Sequence, residues 1–208
     1  MGTIKKTMPF IAAMAAVVVA SNILVSYPFD YFGLTDLLTW GAFTYPIAFL
    51  VNDLTNRRFG LKSARLVIYA GFFLAVILSV VLASPRIAIA SGTAFLCAQL
   101  FDATIFDRLR ALSWWKAPII STIAGSALDT VLFFSLAFSE YFSVLDVMTG
   151  QEDGSLGFPV AFMGTEVPLW VSLAFGDFWV KIATGVAMLL PYGILMNRLQ
   201  PANAPRPA

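Results

Sequence analysis

Three ionisable side chains interrupt apolar stretches of the chain, and their types and spacing suit the binding of a polar ligand. Asp177 precedes Lys181 by four residues, the spacing at which a carboxylate and an ammonium group meet on one helix face. Asp129 has no cation near it in sequence, so it needs a partner, water or a proton and is a candidate for proton-coupled work. Charges inside a bilayer cost about 2.5–3.5 kcal/mol each, and they persist where they face a cavity or a partner. We predict that these three residues, the charged triad, line a cavity and fix a polar substrate. The alternative is an ion pair that only neutralises itself.

Five amide and carboxyl side chains follow two similar apolar motifs and form a second candidate binding site. The set, called the polar cluster here, comprises Asn52, Asp53, Asn56, Gln99 and Asp102. When the Ala-Phe-Leu motifs at 48–50 and 94–96 are aligned, Asp53 matches Gln99 and Asn56 matches Asp102. The two residues in each stretch are three positions apart, so they lie on one helix face. This match hints at a duplicated hairpin. The alternative to a binding role is that these side chains cap helix ends and pair with the arginines that follow them.

Two aromatic residues lie close to these polar groups and are further candidates for contact with substrate. Tyr45 precedes Pro46 near the middle of its apolar stretch, and Trp179 lies between the acid and the base of the charged triad. Aromatic rings of this kind can stack on a flat ring of a ligand. A proline within a helix removes a backbone hydrogen bond, and transporters use broken helices to expose backbone groups to substrate. A simple packing kink would leave the same pattern.

The stretches that carry these residues are long enough to cross a membrane. The chain has 208 residues, of which 59% are hydrophobic and 12% are charged, whereas soluble domains have about 45–50% apolar and about 25% charged residues. One crossing takes about 20 residues. We therefore predict an all-α integral membrane protein, a single domain with six transmembrane helices, at positions 8–27, 34–56, 66–84, 87–106, 118–138 and 169–196.

The distribution of basic residues predicts the orientation of these spans. Eleven of the thirteen lysines and arginines lie at the termini or in the loops after the second and fourth spans, while Arg86 lies on the opposite side and Lys181 lies within a span. This bias places both termini in the cytoplasm. The connection 139–166 then faces outward; its apolar part 158–163 either dips back toward the membrane as a cap or belongs to a solvated loop. The tail 200–208 is rich in Pro and Ala, so we expect it to be disordered.

The composition excludes several kinds of chemistry. The chain has no histidine and one cysteine, which excludes His-dependent catalytic triads, His-ligated metals and disulfides. It also has no Gly-x-x-x-x-Gly-Lys-[Ser/Thr] motif, so transport would use a gradient or a separate energising partner. We predict no enzyme activity, no cofactor, no metal and no nucleic-acid partner; the partners are the lipid bilayer and a small molecule, and a homo-oligomer is left open. The polar groups suit the edges of a purine-like ring, although sugars or amino acids would also fit.

The sequence resembles the queuosine precursor transporter family, also called the VUT family. The resemblance is carried mainly by positions 44–60, TYPIAFLVNDLTNRRFG, with its Asn-Asp-x-x-Asn-Arg-Arg block. Shorter matches follow at 98–102, 108–110, 121–122, 128–130, 133–134, 176–178, 181 and 190–193, so that the resemblance covers about positions 31–199. The chain departs from the pattern at positions 125–127, where many relatives are expected to carry a Ser-Gln pair.

This resemblance implies a bacterial inner-membrane importer of the 7-deazaguanine precursors preQ0 and preQ1, with queuine a substrate of some members. A carboxylate of the polar cluster would then accept hydrogen bonds from the ring N1–H and the exocyclic amine, and an amide of that cluster would pair with the carbonyl edge. The aminomethyl cation of preQ1 would favour Asp129 or Asp177, which the nitrile of preQ0 does not need.

Three other classes of protein share some of these features. The substrate-binding subunit of an energy-coupling-factor vitamin transporter has a similar size, but its uptake depends on an ATPase module. An intramembrane aspartyl enzyme would use Asp129 and Asp177, but Ala174 replaces the first glycine of the Gly-x-Gly-Asp pattern. A purely structural protein is disfavoured because it has no use for this many buried charges.

Overall fold

The structure, a computed structural model, describes residues 2–24, 27, 29–31, 40–82 and 84–198. The predicted start of the second span, at 34–39, and the predicted disordered tail, at 200–208, lie outside these residues.

The described part of the chain is a bundle of helices with one short β-hairpin. In chain order its helices are α1 (Gly2–Leu24), α2 (Gly41–Thr44), α3 (Pro46–Phe59), α4 (Leu61–Leu82), α5 (Pro85–Leu109), α6 (Lys116–Phe138), α7 (Val144–Thr149) and α8 (Leu169–Arg198), with a 3₁₀ turn at Glu140–Phe142 before α7 and the strands β1 (Pro159–Phe162) and β2 (Thr165–Pro168) after it. Five of these helices, α1, α4, α5, α6 and α8, are long and apolar enough to cross a membrane. The protein is therefore a helical multi-pass membrane protein, as predicted, and α2 and α3 occupy the described part of the predicted second span.

Helix α2 is separated from α3 at the Tyr45–Pro46 bond, where the sequence predicts a break. Tyr45 keeps helical dihedral angles, φ −57° and ψ −41°, so the path of the chain continues across the interruption. Pro46 has no N–H group, which leaves the carbonyl of Ala42 without its helical partner. Helix α3 ends at Gly60, whose φ of 83° turns the chain directly into α4.

The helices bury polar side chains inside the bundle and turn apolar ones outward. The polar cluster is buried, whereas large apolar residues such as Phe73, Ile77, Val131 and Leu190 are exposed on the outside. Helices α5 and α6 share the most extensive contact in the bundle, and α1 packs against α4. An apolar exterior around a polar interior suits a chain that is surrounded by lipid tails.

The connection from 139 to 168 is folded against the ends of α5, α6 and α8, and we call this end of the bundle the loop end. Arg86 is buried there and donates from its guanidinium to Asp146 (2.5 Å) and to the Ser139 carbonyl (2.5 Å). Asp153 lies 3.7 Å from the same guanidinium. Hydrogen bonds from Ser155 lower the pKa of the Asp153 carboxyl. One buried arginine thus fixes an acidic connection.

The apolar part of this connection forms β1 and the turn of the hairpin. Strand β1 pairs with β2 in antiparallel fashion, and the turn residues Met163 and Gly164 have φ of 48° and 85°, as in a two-residue type I′ turn. The ring of Phe162 lies 5.3 Å from that of Phe175 on α8. The hairpin therefore packs beside the outer part of α8 and adds no side chain to the lining of the cavity described next.

Candidate functional site

A cavity of about 410 Å³ opens in the half of the bundle nearer the loop end. Residues from α1, α3, α4, α5, α6 and α8 line it, together with Gly41 and Ala42 of α2 and Tyr45 at the helix break. All three members of the charged triad are among the lining residues. Its size is within the range of about 300–1,000 Å³ that is usual for small-molecule sites.

The structure brings the charged triad together at one wall of this cavity. The Lys181 Nζ atom lies 2.6 Å from Asp129 Oδ2 and 2.5 Å from Asp177 Oδ2, so one ammonium group from α8 bridges two carboxylates. The Asp177–Lys181 pair within α8 follows the predicted spacing of four residues. Asp129 reaches the same ammonium group from α6, which supplies the partner that its own helix lacks.

Two hydroxyl groups complete the hydrogen bonds of the triad. Tyr45 donates its hydroxyl to Asp129 Oδ1 at 3.0 Å, and Thr130 donates to Asp177 Oδ2 at 2.9 Å. The Lys181 ammonium group also lies 5.5 Å from the centroid of the Tyr45 ring. With both acids ionised and the lysine protonated, the group carries a net charge of −1 and holds its side chains in fixed positions. It can accept hydrogen bonds from N–H groups of a ligand or attract a cation.

The rest of the cavity lining supplies aromatic rings and small polar groups. Phe133, Phe134 and Phe138 of α6 line one side, and Ser21 and Asn22 of α1 line another. Neither of these α1 residues is among the candidates predicted from the sequence. Asn22 was nevertheless a detectable signal, because it is a carboxamide at the end of an otherwise apolar stretch.

Trp179 does not lie in the cavity, contrary to its prediction as a stacking residue. Its side chain is 54% exposed and contacts the rings of Phe175 and Phe178. Trp179 is two residues from both Asp177 and Lys181, and two residues rotate a helix by about 200°, so its side chain points to the opposite face of α8. Proximity in sequence to the triad was therefore misleading for this residue.

The polar cluster assembles between α3 and α5, but it does not reach the cavity. Asn52 donates through Nδ2 to Asp102 Oδ2 at 2.8 Å and to the Gln99 carbonyl at 3.2 Å. Asn56 donates to the Ala103 carbonyl at 2.8 Å. The five members are at most 2% exposed and are absent from the cavity lining. In the state described, a deazaguanine in the cavity cannot touch them.

A layer of aromatic side chains lies between the cavity and the polar cluster. The Tyr45 ring contacts those of Phe49 and Phe95 edge to face, with centroids 6.3 and 6.1 Å apart. Phe49 and Phe95 are 1% and 2% exposed. We call these three residues the aromatic floor, because they close the cavity on the side of the polar cluster.

Among the described residues, the carboxyl groups of the polar cluster do not pair with the arginines that follow them, although pairing is the alternative to a binding role. Two of these arginines have other partners. Arg57 donates to the Tyr192 hydroxyl at 2.8 Å and to the Arg110 carbonyl at 2.7 Å. Arg110 pairs with Asp107 at 3.2 Å. Within the described part of the chain, neither carboxyl group of the cluster forms an ion pair. A bundle of apolar helices around a charged, ring-lined cavity defines a helical membrane protein with a binding site for a small polar molecule.

Comparison with known proteins supplies the family. The profile of a family described as "Putative vitamin uptake transporter" matches residues 39–84 and 79–196. The chain is 34% identical over 205 residues to the "Queuosine precursor transporter" of Escherichia coli (strain K12), an alignment that covers 88% of this chain and 83% of that protein. It is 33% identical over 213 residues to the "Probable queuosine precursor transporter" of Haemophilus influenzae (strain ATCC 51907 / DSM 11121 / KW20 / Rd), with 87% and 82% covered. No solved structure matches it. The chain belongs to the queuosine precursor transporter (VUT) family, which confirms the resemblance seen in the sequence.

Proposed function

We propose that this protein imports the 7-deazaguanine precursors of queuosine, preQ0 and preQ1, across the bacterial inner membrane. The observation that carries the proposal is the cavity of about 410 Å³ with the charged triad at its wall. The names of the two relatives support the substrate class. The cavity would hold the ring, the triad would bind its polar edge, and the phenylalanines of α6 would lie against its faces.

The donors and acceptors of the triad match a deazaguanine in a definite way. The ring N1–H and the exocyclic amine are donors, which suits the carboxylate of Asp177, whose side chain is 15% exposed toward the cavity. The ring carbonyl is an acceptor, which suits the ammonium group of Lys181 or the amide of Asn22. The net charge of −1 favours preQ1, since its aminomethyl group is a cation, over the neutral nitrile of preQ0.

We propose six membrane crossings with both termini in the cytoplasm. Five crossings are the long helices α1, α4, α5, α6 and α8. The remaining crossing is the second in chain order; α2 and α3 provide its described part, and positions 34–39 extend it in sequence. The basic residues at 57–65 and 108–116 then face the cytoplasm, as the positive-inside rule requires. In this orientation the cavity opens toward the outside, where the substrate of an importer arrives.

The test is uptake and binding of preQ0 and preQ1 by wild type and one matched pair of variants. Asp177→Asn removes a charge-assisted hydrogen bond, which is worth about 1.5–3 kcal/mol, so preQ1 affinity should fall by about ten- to a hundredfold. Trp179→Phe alters the same helix on its exposed face and should leave affinity unchanged. Cells that cannot synthesise either precursor provide the uptake assay, and titration calorimetry of purified protein provides the affinity.

Two outcomes would contradict the proposal. Absence of saturable preQ0 or preQ1 binding to folded wild-type protein would remove the substrate assignment. Equal affinity in wild type and Asp177→Asn would remove the triad from the binding site. Uptake that requires a coexpressed ATPase module would instead favour the vitamin-transporter subunit named above.

A further inference from the structure

Asp53 on α3 and Asp102 on α5 are neighbours in the contact between these two helices, and each carboxyl group has one buried oxygen without a hydrogen-bond partner. Both are buried, at 2% and 0% exposure. Two ionised carboxylates have no hydrogen to share, because a carboxylate only accepts hydrogen bonds. Contact between them therefore requires a proton on one of the two, or a cation between them.

No basic side chain takes the place of that cation among the described residues. The charge of Arg57 acts on Asp53, but its guanidinium donates to the hydroxyl of Tyr192 on α8 and to the carbonyl of Arg110, the residue after α5. Helix α6 contributes Ser121, whose hydroxyl carries no charge and donates to the Pro118 carbonyl at 3.3 Å. The lysines and arginines of α1, α4 and α6 are exposed, namely Lys5, Lys6, Lys62, Arg65 and Lys116. Because no basic side chain pairs with the two carboxyl groups, a proton on one of them is what remains to reduce their charge.

The surroundings of the pair provide hydrogen-bonding groups that have no partner in this state. Both amide atoms of Gln99 are unpartnered although the residue is 0% exposed. Gln99 precedes Asp102 by three residues, so its side chain lies on the face of α5 that meets Asn52. One oxygen each of Asn52 and Asn56 is also buried and unpartnered. Each buried polar atom without a partner destabilises the protein by about 1–3 kcal/mol, so we expect a further hydrogen-bonding group to reach these atoms.

A small pocket beside Asp53 limits what can reach the pair from that side. The pocket that Asp53 lines has a volume of about 10 Å³, whereas a single water needs about 10–15 Å³. A deazaguanine is too large for this pocket. The pocket can admit a proton, or at most one water molecule that delivers the proton.

We propose that Asp53 and Asp102 form the binding site for a proton that is coupled to substrate transport. The proton is held as one carboxylic acid hydrogen-bonded to one carboxylate while the polar cluster is sealed. When the cluster becomes hydrated, the acid loses this proton to water. The unpartnered oxygens of Asn52 and Asn56 and the amide of Gln99 then hydrogen bond to the water that enters. The proposal rests on the transporter function inferred above.

The first test uses no substrate and so stands independently of the substrate assignment. Infrared spectra of the purified protein should contain a carboxylic acid band that shifts in D₂O. The band should disappear in Asp53→Asn/Asp102→Asn and remain in Asp107→Asn, a control that alters a partly exposed aspartate of the same helix. A wild-type spectrum without the band, or a double variant that retains it in full, overturns the proposal.

The second test measures coupling in proteoliposomes that are free of membrane potential. With one proton per substrate, a pH gradient of one unit, alkaline inside, should drive preQ1 accumulation of about tenfold in wild type. Asp102→Asn should lose this accumulation but retain exchange of labelled for unlabelled preQ1, which needs no gradient. Exchange by this variant also establishes that it is folded.

The remaining outcomes of this test separate the two proposals. A gradient response retained in Asp102→Asn, or wild-type accumulation driven by a sodium gradient at constant pH, overturns the proton site and leaves the transporter intact. Loss of exchange in Asp102→Asn that still binds preQ1 also overturns it, because the pair would then serve transport itself. Failure of wild type to exchange preQ1 removes the proposed function, while the infrared band still decides the proton site.

Discussion

Replacement of Lys181 by methionine should be the most destabilising single change in the charged triad. The Lys181 ammonium group lies 2.6 Å from Asp129 Oδ2 and 2.5 Å from Asp177 Oδ2. Methionine fills a similar volume but carries no charge, so both carboxylates would lose their cation in the interior of the bundle. Neighbouring hydroxyls of Tyr45 and Thr130 would still donate one hydrogen bond to each, without compensating the charge.

The magnitude follows from the burial of the two acids. Removal of one partner from a buried ion pair costs about 3–5 kcal/mol. The loss is not doubled here, because the Asp177 side chain is 15% exposed and solvent in the cavity screens it, whereas that of Asp129 is 5% exposed. Asp129→Asn leaves the Lys181–Asp177 pair in place and should cost about 1–3 kcal/mol, the cost of one buried hydrogen bond.

The assay is the free energy of unfolding in mixed detergent micelles for four proteins. These are wild type, Lys181→Met, the double variant Lys181→Met/Asp129→Asn, and the control Lys116→Met, which removes an exposed lysine and should change stability by at most about 0.5 kcal/mol. The double variant should be more stable than Lys181→Met alone, because it no longer buries an unpaired Asp129 carboxylate. A double variant that is less stable than Lys181→Met, or a Lys181→Met no less stable than the control, would refute the reasoning.

Two further predictions concern packing and the loop end. Alanine at Gly125 would place its Cβ 2.8 Å from Phe49 Cε1, so Gly125→Ala should destabilise the protein by about 1–3 kcal/mol; Gly176→Ala, whose Cβ meets no atom within 4 Å, is the matched control and should be neutral or gain up to about 1 kcal/mol. Thermal unfolding of both variants decides this, and equal melting temperatures would contradict it. Arg86→Leu should leave Asp146 unpaired and expose residues 150–157 to faster hydrogen exchange, while Arg86→Lys should do so less, since it keeps the charge; unchanged exchange in Arg86→Leu would contradict the anchoring role.

Features that depend on one helix or on composition could be predicted from the sequence. The apolar stretches predict α1, α4, α5, α6 and α8, and the spacing of four residues predicts the contact between Asp177 and Lys181. Pro46 predicts the break between α2 and α3. These predictions succeed because chain connectivity and backbone hydrogen bonding decide them locally.

Features that depend on how helices are arranged could not be predicted. The contact of Asp129 with Lys181 joins residues 52 apart, and no periodicity within α6 or α8 specifies it. The aromatic floor likewise separates the polar cluster from the cavity, and nothing in the spacing of residues within α3 or α5 predicts that separation. Arg86 was seen as the single base on its side of the chain, and the five acids of the 139–166 connection were the signal that it would be buried among them.

The two polar groups differ in how their hydrogen bonds are satisfied, and we expect the less satisfied group to lie in the part of the bundle that changes during transport. In the triad, each carboxylate contacts the Lys181 ammonium group and accepts a hydrogen bond from a hydroxyl, so its hydrogen bonds do not depend on water or ligand in the cavity. The polar cluster leaves buried atoms of Asn52, Asn56 and Gln99 unpartnered, a cost that is recovered only when water or another donor reaches them. Pro46 lies between the charged triad and the polar cluster, and one helical hydrogen bond is already absent there. A change in the path of the helix at this level breaks fewer backbone hydrogen bonds than one elsewhere in α3, and it displaces the aromatic floor that seals the cluster.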